Sequence, residues 1–123
     1  MPESEEIIEL VISEIDWFII KKVKEIRVAK KISQFDLAVA LGLSDAAIGK
    51  IENPKERAKY NIRHLNILAK ALNCPPRDLL PEGVLPNDMV KIRLRRTTKR
   101  AKGESNYEEL SMERVVPRGQ KQS

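Results

Sequence analysis

The stretch SQFDLAVALGLSDAAIGKIEN, Ser33 to Asn53, decides the reading of this chain. It predicts two short helices joined by a tight turn. Ser33 suits a helix N-cap, and Asp36 three residues later forms a box-like pairing over the orphan N–H groups. Leu37, Ala38 and Leu41 repeat at helical spacing and predict one buried face. Gly42 should end that helix, since glycine takes positive φ without steric cost. Leu43 is expected to fold back into the core. Ser44 is expected to cap the second helix, with Ala47, Ile48 and Ile51 as its buried stripe. Helix, four-residue turn, helix is the pattern of a helix-turn-helix.

Outward from that stretch, the 123 residues suffice for one small core. Hydrophobic residues make up 41% and charged residues 33%, as expected of a soluble, compact, mostly helical protein. Aromatics are only 4%, so aliphatic side chains must build the interior. The single cysteine, Cys74, excludes an intramolecular disulfide and a cysteine metal site, and reads as intracellular. The acidic N-terminus lacks the positive segment of a signal peptide. The apolar run from Ile7 to Ile20 is interrupted by Glu9, Glu14 and Asp16 and does not predict a membrane span. The net charge of +5 is unevenly spread. Residues 1–16 hold six acids and no Lys or Arg, 17–88 thirteen Lys/Arg against eight acids, and 89–123 ten against four. A basic body with a basic tail favours a polyanionic partner.

Toward the N-terminus, residues 4–31 read as helix, either continuous or jointed near Ser13 to Asp16. Ser4 is a possible cap, and Glu5 and Glu6 would complement the helix dipole. Ile8, Val11, Ile12, Ile15, Ile19, Val23 and Ile26 form the expected apolar stripe, with Trp17, Phe18 and Ile20 partly outside it. Trp17 to Lys30 would be the first helix of the bundle. The half before it would lengthen the core or pack on a second subunit.

Toward the C-terminus, Asn53 is followed by PKERAKY, a polar loop opened by Pro54. Asn61 is the expected cap of a helix carrying Ile62, Leu65, Ala69 and Leu72. Asn73 is the expected left-handed C-cap, and Pro75 forbids continuation. Pro76 starts a last short turn, with Leu79 and Leu80 closing the core before Pro81. The domain is therefore drawn as 1–82, with an extended N-terminal helix, and 83–123 as a basic extension. In that extension Val90, Ile92 and Leu94 alternate with Lys91, Arg93 and Arg95, a strand pattern. A second candidate strand spans Tyr107 to Val116, with Leu110, Met112 and Val116 on one face. A hairpin joined through Thr97 to Asn106 and a disordered basic arm are the two readings, and residues from Pro117 read as disordered.

No catalytic or metal-binding constellation stands out. His64 and Cys74 are ten residues apart without a second base or oxyanion motif, and packing explains both. There is no phosphate-cradling glycine loop, no cluster of metal ligands and no recognisable pair of carboxylates. No enzyme activity and no cofactor are expected.

Gln34, Leu37, Ala38, Gly42, Ser44, Ile48 and Glu52 resemble the pattern of the phage-repressor (Cro/C1, or XRE) helix-turn-helix family. The resemblance covers about Val23 to Leu80. It implies an all-α, five-helix, lambda-repressor-like bundle, with 83–123 as a C-terminal extension. It implies a DNA-binding transcriptional regulator working through 33–53, with double-stranded DNA as partner. Such proteins usually bind inverted-repeat operators as homodimers, with half-sites about one helical turn, or 10 bp, apart. Carried over residue by residue, Asp45, Ala46, Gly49 and Lys50 occupy the base-facing positions. Gln34, Ser44, Asn53, Lys55, Arg57 and Lys59 fall at phosphate-contacting positions. Arg27 stands where family members pair an arginine with the glutamate near the end of the reading helix, here Glu52. Pro54 departs from the family's frequent glycine, so the loop is expected to turn differently. The expected place is the cytoplasm, on the nucleoid when bound, with no membrane. An antitoxin that grips a toxin through an extension, or a protein-interaction module on the same fold, are the alternatives.

Overall fold

The structure is a computed structural model and describes residues 6–97 and 106–116. In chain order it comprises strand β1 (Ile7–Ser13), helices α1 (Glu14–Ala29), α2 (Gln34–Leu41), α3 (Ala47–Glu52) and α4 (His64–Leu72), a 3-10 turn (Pro76–Leu79), and strands β2 (Met89–Arg96) and β3 (Tyr107–Arg114). The chain divides into two compact units, one of residues Ile15–Pro86 and one that joins the N-terminal segment through Glu14 to the residues from Asn87 onward. Among the described residues no helix is long and apolar enough to cross a membrane.

The all-α expectation is overturned. Among the described residues a three-stranded antiparallel sheet, ordered β1-β2-β3, accompanies four helices and a single 3-10 turn, so the fold is mixed α/β rather than a five-helix bundle. The difference lies in Ile7–Ser13, IIELVIS, whose spacing predicts a helix but which forms strand β1. Its apolar residues satisfy a three-to-four spacing, but Ile8, Leu10 and Ile12 also alternate. Four of the seven residues are β-branched, which favours the pleated backbone. Of the two readings of the tail, a hairpin or a disordered arm, the described residues bear out strands, β2 and β3. Their connection at 98–105, the expected disorder from Pro117 and the proposed cap at Ser4 lie outside the described residues.

Within the helical unit, three helices end in the same manner. The α2 end has Gly42 at φ 70°, with the Leu43 N–H donating to the Ala38 carbonyl at 2.9 Å. At the α4 end, Asn73 takes φ 54° and the Cys74 N–H donates to the Ala69 carbonyl at 2.9 Å. After α1, Lys31 takes φ 60° and the Ile32 N–H donates to the Arg27 carbonyl at 3.0 Å. Each end satisfies carbonyls that the helix itself leaves open. Ser33 accepts from the Asp36 N–H at 2.9 Å and so caps α2. Asn61 and His64 cap the entry to α4 reciprocally, since Asn61 Oδ1 accepts from the His64 N–H and His64 Nδ1 from the Asn61 N–H. Lys30 Nζ donates to the Leu72 carbonyl and, at 3.1 Å, to that of Asn73, where the helix dipole favours a cation.

The helical core is Trp17, Ile20 and Val23 from α1, Leu37, Ala38 and Leu41 from α2, Ile48 and Ile51 from α3, Leu68, Ala69 and Leu72 from α4, with Tyr60 and Leu79. The stripe on α1 is therefore rotated from the expected one. Ile15 is 48% exposed, whereas Trp17 and Ile20 are buried. A strand up to Ser13 resets the helical phase, so Ile8 cannot predict which face of α1 is buried. Ile62, placed in the α4 stripe, precedes that helix and is 82% exposed.

In the sheet unit β1 pairs with β2 through Ile8↔Leu94, Leu10↔Ile92 and Ile12↔Val90, and β2 with β3 through Ile92↔Met112. Val90, Ile92 and Leu94 are buried on the central strand. The opposite face carries Glu9, Lys91 and Arg93, with Arg93 Nε 3.4 Å from Glu9 Oε2. A register shift at Arg93/Leu94 places Leu110 out of the alternation expected for it. Glu14 closes the strand-to-helix junction within this unit. Its N–H donates to the Asp88 carbonyl at 2.8 Å, and its Oε1 accepts from the Asn87 N–H at 2.9 Å.

Candidate nucleic-acid interface

The site is built on one buried charge pair. Arg27, near the end of α1, donates from Nε to Glu52 Oε2 at 2.9 Å and from Nη2 to Glu52 Oε1 at 2.7 Å. Its Nη1 donates to the Ile32 carbonyl at 2.8 Å. Both side chains are 2% exposed. A two-pronged contact of this kind fixes direction as well as distance. It therefore ties the last residue of α3 to α1 and to the backbone leading into α2.

Gln34, the first residue of α2, adds a third arm, with its Nε2 donating to Glu52 Oε1 at 3.0 Å. The same amide lies over Gly49, where an added Cβ would stand 3.3 Å from Gln34 Oε1. Gly49 thus lets the start of α2 approach the middle of α3 closely. Its position on the expected reading face supplies no side chain, and here its bareness has a packing consequence. A lone glycine in a helical pattern is the sequence signal of such an approach.

Tyr60, which no sequence motif marks, also faces this core. It is buried, its ring meets that of His64 edge-on at 6.1 Å, and its hydroxyl has no hydrogen-bond partner among the described residues. Burial pushes its phenol well above the usual range, the Glu52 carboxylate adds to the shift, and Arg27 opposes it. Its only sequence signal is an aromatic side chain closing an otherwise polar loop.

The remaining candidates lie at the surface of the helical unit. Asp45, Ala46 and Lys50 are exposed. Ser44 does not cap α3 through its side chain as expected. The Ser44 carbonyl accepts from the Ala47 N–H at 3.0 Å, a tight turn leads in through Ala46, and α3 is only six residues long. Asn53 folds the loop after α3, with its Oδ1 accepting from the Lys55 N–H at 3.0 Å and its carbonyl from the Glu56 N–H at 2.9 Å. This local turn gives the Pro54 loop its shape without a glycine. Lys55 and Arg57 are exposed, while Lys59 Nζ lies 3.3 Å from Asp16 Oδ2 and is itself half exposed.

Residues 23–79 match the helix-turn-helix family model. Among solved structures, the restriction-modification controller protein C.AhdI from Aeromonas hydrophila is 30% identical. That likeness covers 51% of this chain and 92% of the other, with a TM-score of 0.44. No curated protein matches the sequence. Residues 23–79 are a helix-turn-helix domain of the Cro/C1 (XRE) type, the DNA-binding module of a transcription regulator.

Proposed function

We propose that this regulator is sequence-specific and binds an inverted-repeat operator as a homodimer through 33–53. The observation that carries the reading is the exposure of Asp45, Ala46 and Lys50 on and just before an α3 anchored by Arg27, Glu52 and Gln34. A rigidly held short helix with exposed polar groups suits insertion into the major groove. Lys50 would donate to guanine O6 and N7, Asp45 would accept from cytosine N4, and Ala46 would meet a thymine methyl. Lys55, Arg57 and Lys59 would neutralise phosphates along the loop, with Ser44 and Asn53 beside them. Gln34 would reach a phosphate with the amide hydrogen it does not give to Glu52. Gly49 offers bases nothing, so DNA shape would share in the specificity. Two-fold symmetry follows from the smallness of this surface, since one short helix reads too few base pairs.

Selection of bound sites from random duplexes at near-physiological salt tests the reading. The expected product is an inverted repeat with half-sites about 10 bp apart. Recovery of sequences without a shared motif would replace operator recognition by backbone binding. Failure of the folded protein to bind any duplex would make it a protein-interaction module.

A further inference from the structure

We infer that β1 is the dimer interface, pairing antiparallel with β1 of a second copy across a two-fold axis at Leu10. This rests on the homodimeric reading above and assigns it a surface. The two edges of the sheet are unlike. Edge strand β3 carries Glu108, Glu109 and Glu113 and has a register shift where it meets β2. Charges and bulges are the features that keep other strands from adding to an edge. Edge strand β1 has neither a bulge nor more than one charge, Glu9, between Ile7 and Ser13.

The hydrogen-bond parity of β1 says which peptide groups face outward. The Arg96 N–H donates to the Glu6 carbonyl at 2.9 Å, and the Glu14 N–H to that of Asp88 at 2.8 Å. Alternation along an antiparallel strand then turns the peptide groups of even-numbered residues toward β2 and those of Glu9 and Val11 toward the edge. Ile7 is 42% exposed and Val11 57%, β-branched side chains suited to strand pairing but left in water.

Chemistry selects both the occupant and the register. A two-fold axis perpendicular to the sheet sets Leu10 against Leu10 of the second copy, Ile8 against Ile12 and Glu9 against Val11. Glu9 and Val11 then exchange their outward N–H and carbonyl groups, and no like charges face each other. A register centred on Glu9 would oppose two carboxylates. One centred on Val11 would set Ile8 against Glu14, whose carboxylate is held by Asn87. The Leu10 register also keeps Ile8, Leu10 and Ile12, all half-buried, on one continuous face across both copies.

The test measures the oligomeric state of the full chain by sedimentation equilibrium, with folding followed by circular dichroism. Val11→Glu sets one carboxylate against Glu9 in each of two symmetric pairs and is expected to weaken the dimer about tenfold. Val11→Lys places an ammonium against the same Glu9 and is expected to preserve the dimer. Both changes fall on an exposed side chain, so both proteins should fold. In a Cys74→Ser background, Leu10→Cys should cross-link with itself on oxidation, because the position is a close, non-hydrogen-bonded pair. In that background Ile8→Cys should cross-link only when mixed with Ile12→Cys. A dimer that survives Val11→Glu, or no cross-link at Leu10→Cys, overturns the β1 interface and leaves dimeric operator binding standing. A wild-type chain that is monomeric both free and on DNA overturns both.

Discussion

In the helical unit Arg27 and Glu52 share two hydrogen bonds of 2.9 and 2.7 Å, and each side chain is 2% exposed. In the sheet unit Glu9 lies between Lys91 at 4.0 Å and Arg93 at 3.4 Å, all three with side chains 40–51% exposed. Arg95 and Arg96 pair with Glu108 and Glu6 at 3.8 and 3.5 Å, again near the surface. The sheet's pairs lie within reach of water, and the buried pair is expected to carry far more energy than any of them. Water screens the exposed pairs, and each long side chain gives up freedom to hold its geometry. The buried pair has no water to fall back on, so each partner depends on the other. In the sheet the charges pair at the surface, while in the helical unit a buried pair holds α3 against α1.

Glu52→Ala should have the largest effect. It strands the Arg27 guanidinium in the core and is expected to cost about 3–5 kcal/mol of stability. Urea unfolding followed by Trp17 fluorescence measures this selectively, since Trp17 is the only tryptophan and is buried in the helical unit. A loss below about 1 kcal/mol would place the pair with the exposed ones. Replacing both partners, as Arg27→Met with Glu52→Leu, should recover much of the stability, because an apolar pair has no desolvation cost. DNA binding should not recover with it, since nothing then directs α3.

Gln34→Ala comes next, removing one neutral donor from the same carboxylate. A hydrogen bond to a charged group is worth about 1.5–3 kcal/mol, and the partial exposure of Gln34 places the expected loss near the lower end. The same urea titration reads it. No loss would mean that water replaces the amide at Glu52, and the network would reduce to its two-pronged core.

What the sequence made legible divides along the same line. In the helical unit the punctuation is local: Ser33, Gly42, Asn61, Asn73 and Pro75 each act on backbone groups within a few residues. The structure has the caps, turns and left-handed ends at those places. Arg27 and Glu52 are 25 residues apart, and only family resemblance suggested their pairing. Lys31 takes positive φ without any residue-type signal. The sheet was half legible. The alternation of Val90, Ile92 and Leu94 identified one strand, but not that its partner would come from the other end of the chain. Ile7 to Ser13 fits both periods, and pairing with a strand some eighty residues away decides between them. On the candidate interface, the resemblance implies two separate DNA contacts for Gly49 and Gln34. Their mutual approach is a tertiary fact that neither residue carries alone.

Tyr60→Phe isolates the cost of burying a polar atom beside the charge pair. The hydroxyl has no partner among the described residues, so its removal should change stability by under about 1 kcal/mol, in the stabilising direction. Its pH signature follows from the raised phenol pKa, caused by burial first and Glu52 second. The folded chain keeps its proton where the unfolded chain, near pH 10, begins to lose it. Stability from this group is therefore complete below about pH 10 and declines as pH rises beyond that. Melting temperatures taken upward from pH 9 should fall less steeply in Tyr60→Phe than in wild type. Equal slopes would mean that Tyr60 is solvated.

Glu9→Gln should have the smallest effect, although it removes the acid shared by two cations. The carboxylate is 51% exposed and its better contact is 3.4 Å, so the expected loss is within about 0.5 kcal/mol. Salt distinguishes this from an equally small loss of packing. At low ionic strength the loss of attraction to Lys91 and Arg93 should be measurable, and at about 1 M salt, where the Debye length is about 3 Å, it should vanish. A loss of several kcal/mol that persists in high salt would make Glu9 a counterpart of Glu52, and the sheet would then depend on its charges as the helical unit does. A salt-sensitive fraction of a kcal/mol would leave the cohesion of the sheet to Val90, Ile92, Leu94 and the strands beside them.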